Sequence, residues 1–183
     1  MGLFKKIFGD SHLDHVLKYS QHPIRQLASL QENSITEHAN LFSTRHNLTP
    51  APVDDISLFK ARLLGALLVP FQWGHTKGSR LGYIRLTSAA FETSVTRNDG
   101  RLIISNPYSA QSIAKKFIDE DMSNIALDHA SGQLEQRVCL IYCGILYEWA
   151  DNSYSRPFAA DQYRETITTH IKSLIAISSQ LFS

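Results

Sequence analysis

The chain has 183 residues, 43% of them hydrophobic and 19% charged, with a formal net charge of +1. This composition excludes the disordered and fibrous classes, and the near-zero charge supplies no general attraction to nucleic acid or anionic lipid. A chain this long buries roughly 70% of its unfolded surface as one domain, so a single helical domain over 1–183 is expected.

The opening "GLFKKIFGD" reads as a short amphipathic segment over residues 1–9. Leu3, Phe4, Ile7 and Phe8 share one side and Lys5 and Lys6 the other. "SHLD" has the spacing of a capping box at Ser11 and Asp14, Pro23 fits the first turn of a next helix, and "SITE" repeats the box at Ser34 and Glu37. "NLTPAPVDD" is the clearest linker. A strong helix follows it, with Ile56, Phe59, Leu63, Leu64 and Leu67 inward, and Pro70 is expected to end it.

Residues 79–105 support two readings. Leu81, Ile84, Phe91 and Val95 make a helical stripe, whereas "NDG" between Val95 and Leu102 reads as one short β-hairpin within 91–105. Asn106 and Pro107 restart a helix carrying Ile113, Ala114 and Phe117. The stretch 134–149 is apolar all round, the pattern of a central helix. The last helix turns Tyr163, Ile167, Ile171, Leu174, Ile175 and Leu181 to one side. The fold class is therefore mainly α, a bundle of about seven helices by this count of periodic segments.

Catalytic signatures are sparse. The eight histidines include three that follow an acid, His15, His38 and His129. Neighbours on a helix diverge by about a third of a turn and do not share a ligand site by spacing alone. A small metal-dependent hydrolase built on His12, His15 and His38 is the enzymatic alternative. His38, His46 and His170 read more simply as core histidines. Cys139 and Cys143 stack one turn apart with apolar neighbours, which fits buried thiols rather than a zinc site or a disulfide. No cofactor, metal or nucleotide motif occurs, so the chain reads as non-catalytic.

Two stretches carry interface-type residues. "WGHTKGSRLG" holds Trp73, Lys77 and Arg80, and Lys77, Gly78, Ser79 and Arg80 at a helix entry also make an anion-binding candidate. Arg85, Arg97 and Arg101 continue its positive bias, opposed up to residue 101 by Glu92 and Asp99, which suits either an acidic partner or, more simply, the charged face that keeps a bundle soluble. "EWADNSYSRPF" holds Trp149, Tyr154 and Arg156, residue types that anchor protein interfaces. The competing reading of this second stretch is that Trp149 and Phe158 close the core at a tight turn.

The expected partner is another protein. No specific nucleic acid is implied, because aromatics spaced for base stacking are lacking. Membrane contact through residues 2–8, with Phe4, Phe8, Lys5 and Lys6, is the third alternative, and two turns of helix are short for it. The longest apolar run, Val138 to Tyr147, falls well below the roughly 20 residues that span a bilayer. With no signal-peptide pattern, a cytoplasmic protein is expected. The opening nine residues are similar to those of small bacterial cytosolic proteins, some of them antitoxin or immunity proteins. That resemblance implies a regulatory or toxin-neutralising role and assigns no site residue.

Overall fold

The computed structural model describes residues 11–75, 80–97 and 99–180, with side chains from residue 21 onward except those of 75 and 126. Its first helix, α1 (Ser11–Arg45), is continuous over 35 residues. The expected break at Pro23 and restart at Ser34 are not there. A stripe of Ile24, Leu27, Ala28, Ile35, Ala39 and Phe42 is buried without interruption along this helix. Such a face stabilises more than local punctuation can offset, so Pro23 sits inside the helix and gives up one backbone hydrogen bond.

The linker ends at Asp54, whose Oδ1 accepts the backbone N–H groups of Ile56 and Ser57 at 3.0 Å each. That cap starts α2 (Asp55–His75), which continues through Pro70 instead of ending there. Every residue from 61 to 70 is buried. Packing on all sides again outweighs the proline. Ile56, expected inward, is exposed, because it lies in the first turn before the helix enters the core.

The central helix is α2, not the stretch 134–149. It packs against α1, against α3 (Arg80–Ser94) and α4 (Pro107–Glu120), and against α6 (Leu134–Tyr154) and α7 (Arg164–Gln180). Helix α6 has an outer stripe of Gln136, Leu140, Gly144 and Tyr147 facing solvent. Helix α1 lies close against α2 at Gly65, where an added Cβ would lie 2.6 Å from the Leu27 carbonyl oxygen.

Helix α3 is followed by a tight turn closed by a single antiparallel bridge, Thr96 to Leu102. Gly100 has φ +84 in that turn, and the Ile103 N–H donates to the Val95 carbonyl at 2.8 Å. The segment is thus helix first and then one isolated bridge, without the strands of a full hairpin among the described residues. Asn106 caps α4 as its sequence implies, its Oδ1 accepting the Tyr108 N–H at 3.0 Å.

The short helix α5 (Ile125–Ala130) leads into α6, and a 3-10 turn at Ala160–Tyr163 leads into α7. In that last stretch Tyr163, Ile167, Ile171 and Leu174 are buried as their periodicity predicts, Ile175 is half-buried, and Leu181 lies outside the described residues. Seven helices are present among the described residues, a mainly α bundle. None of them is long and apolar enough to cross a membrane. The amphipathic segment 1–9 lies outside the described residues.

Candidate protein-binding surface

The tryptophans expected as anchors lie in the core. Trp149 is 0% exposed and Trp73 6% exposed. Trp149 donates its Nε1–H to the Pro52 carbonyl at 3.2 Å. The Tyr154 hydroxyl donates to the Thr49 carbonyl at 2.9 Å and accepts the Ala51 N–H at 2.7 Å. Both aromatics therefore hold the proline-containing linker of their own chain. Prolines remove N–H donors from such a linker and leave carbonyls in need of partners.

Around this clamp the ring of Phe42 meets those of Trp149, Tyr154 and Phe158 at centroid distances of 5.8, 5.9 and 5.7 Å. This is the core-closing alternative for the second stretch. Arg156 alone of its three candidates is exposed.

In the first stretch Lys77, Gly78 and Ser79 lie outside the described residues, while Arg80 is exposed at the start of α3. An apolar surface adjoins it. Leu81 is 50% and Ile84 52% exposed. Helix α3 packs inward through Gly82, Leu86, Ala90 and Ser94, mostly small residues that let it lie close to its neighbours. Its stripe of Leu81 and Ile84 is left on the opposite side, with Arg85 and Ser88 beside it, all exposed.

Farther along the same stripe, Phe91 turns against Phe59 at 6.1 Å and is half-buried. The stripe read from the sequence is therefore real, but only its C-terminal part packs on the core. Arg80 and Arg85 flank this surface, and no acidic residue lies in the first turn of α3.

The histidines form a buried polar joint between α1, α6 and α7. His38 Nδ1 donates to the Ser34 carbonyl at 2.9 Å, and its Nε2 lies 3.1 Å from Thr166 Oγ1. His170 Nε2 lies 3.1 Å from Gln31 Oε1. Burial pushes the pKa of His38 down, against the opposing pull of its Ser34 bond and the Glu37 charge. Burial and the nearby His38 lower His170 to about 4. His46 packs on the Phe42 ring at 4.6 Å, but its Nε2 has no partner among the described residues.

Among the described residues no group of three or more His, Cys, Asp or Glu converges as a metal site. The side chains of His12 and His15 fall outside that description. Cys139 and Cys143 are free and half-buried rather than buried. They line a groove of about 530 Å³ between α6 and α7. Burial raises both thiols, Cys143 to about 11, so they are protonated at neutral pH.

The most highly organised charged residue escaped the sequence reading. Arg62 on α2 is 2% exposed. It pairs with Glu32 on α1 and donates through Nη2 to the carbonyls of Thr93 at 2.9 Å and Thr96 at 2.6 Å. A cation there satisfies the carbonyls that α3 leaves open at its C-terminal end. Position 62 falls in an apolar run, and only the three-dimensional meeting of α1, α2 and α3 reveals its partners.

Comparison with protein-family models, with curated proteins and with solved structures gives no match.

Proposed function

We propose that this is a protein-binding module of the bacterial cytoplasm, of the regulatory or toxin-neutralising kind, that docks its partner on the outer face of α3. The observation that carries the reading is the exposed pair Leu81 and Ile84, one turn apart on a helix whose other side is packed. Apolar residues beside Arg80 supply an anchor with a charged edge, and the partner that fits presents an apolar ridge flanked by Asp or Glu. The opening nine residues support the bacterial setting by resemblance. Trp73, Trp149 and Tyr154 serve by holding the scaffold, and Arg80 is the earlier candidate that borders the docking face. Lys77 precedes it in sequence, and Arg156 lies in the connection after α6.

Affinity purification with the full chain, followed by binding measurements on the captured partner, tests this. Replacing Leu81 or Ile84 by Asp is expected to weaken binding by about 1 to 3 kcal/mol, the range of interface anchors, with the helical circular dichroism spectrum intact. Unchanged affinity in both variants would remove the α3 face from the interface. A marked fall in melting temperature instead would assign the stripe to packing within the chain.

A further inference from the structure

We infer that the cavity between α1, α2, the C-terminal half of α3 and the turn after it is a binding site for a small-molecule oxyanion, a phosphate or carboxylate group gripped by Arg25, Arg62 and Arg97. This site is separate from the α3 docking face and does not depend on it. The cavity holds about 430 Å³, within the size range of small-molecule sites, and Gln21, Glu92, Thr93 and Thr96 also line it. Its wall carries three arginines and one carboxylate.

Arg62 is the fixed element of the site. Glu32 and two backbone carbonyls hold its guanidinium in place, yet its buried Nε–H has no acceptor among the described residues. A buried donor left without a partner is destabilising, and an acceptor entering the cavity removes that cost. Arg97 is the adaptable element. Among the described residues its guanidinium has one ion-pair contact, a long one with Asp55 at 3.5 Å, and its side chain is 34% exposed. Its charge also acts unfavourably on Arg62. An oxyanion between them converts that repulsion into two attractions, and guanidinium groups suit phosphate and carboxylate through paired N–H donors. Arg25 closes the site from α1, and Glu92 is the one lining group that opposes an anion.

The test is a titration of the isotopically labelled full chain, followed by amide chemical shifts. The probes are sodium phosphate and sodium citrate, each up to about 10 mM, against sodium chloride at matched ionic strength. Saturable shifts in residues 93–101 with either oxyanion are expected, and the tighter of the two tells a phosphorylated ligand from a polycarboxylate. Arg25→Gln and Arg97→Gln should each weaken binding at least about tenfold, equivalent to 1.4 kcal/mol. Glu92→Gln should tighten it, a gain that a purely structural role for these residues does not produce. Arg62 is left intact because its loss threatens the fold. Shifts that fail to saturate with both probes, or equal affinity in Arg97→Gln and the parent chain, would overturn the assignment.

Discussion

The Ser34 hydroxyl lies 2.9 Å from the Tyr142 hydroxyl, a bond between α1 and α6 across 108 residues of sequence. Tyr142 also lies 3.1 Å from His38 Nδ1, and its ring meets that of His170 at 5.8 Å. Burial pushes the phenol far above its usual range, so it stays a neutral O–H. One tyrosine thus ties the hydroxyl of α1 and both core histidines into a single joint.

Replacing Tyr142 by Phe keeps the ring and removes only the hydroxyl. The buried Ser34 hydroxyl then loses its partner from α6, and such a loss costs about 1 to 3 kcal/mol. Urea denaturation followed by circular dichroism checks this through a lower midpoint at unchanged slope. Equal stability of the two proteins would show that the joint adds nothing to the fold.

Why Ser34 escaped a correct reading shows where sequence patterns stop. "SITE" has the residues of a helix start, and nothing local distinguishes a hydroxyl that caps its own helix from one that bonds Tyr142. Pro23 and Pro70 mislead in the same way, since their local cost is visible in the sequence and the burial that outweighs it is not. Where the local signal and the packing agree, at Asn106 or along Ile167, Ile171 and Leu174, the sequence is sufficient. The helical class was legible for that reason.

The surface was harder to read. Tryptophan in a loop-like stretch is equally suited to an interface and to a clamp, and the carbonyls of Thr49 and Pro52 that decide for the clamp lie about a hundred residues away. The α3 stripe was visible, but its outward direction depends on which side of the helix packs, and the small residues Gly82 and Ala90 give little sign of that by hydrophobicity.

Acidification should loosen the same joint. His170 has its pKa lowered from 6.5 to about 4, chiefly by burial, and His38 is lowered in the same direction. The unfolded chain therefore binds more protons than the folded one between those values. This contribution to stability is complete above pH 6.5 and is lost as pH falls toward 4. With partial solvent exposure discounted, His170 accounts for about 1 to 2 kcal/mol of it. Urea midpoints between pH 7 and pH 4.5 should fall in the parent chain and fall less in His170→Gln, and parallel curves for the two would refute the linkage.

Two glycines in helix interiors should respond oppositely to alanine. In a helix, alanine is favoured over glycine by about 1 kcal/mol when nothing else changes. At Gly144, on the outer side of α6, an added Cβ meets no atom within 4 Å. Gly144→Ala should therefore stabilise by about 0.4 to 1 kcal/mol. At Gly65 the same atom would lie 2.6 Å from the Leu27 carbonyl oxygen and 2.7 Å from Gln31 Cγ. The glutamine can shift, but the carbonyl belongs to the backbone of α1 and moves only with the helix. That displacement would also disturb the ion pair that Glu32, five residues farther along α1, makes with Arg62. Gly65→Ala should destabilise by about 1 to 3 kcal/mol, the range for overpacked cores, despite its better helix propensity. Thermal melts of both variants decide the matter: a Gly65→Ala protein as stable as its parent would mean that α1 and α2 do not approach as closely as described.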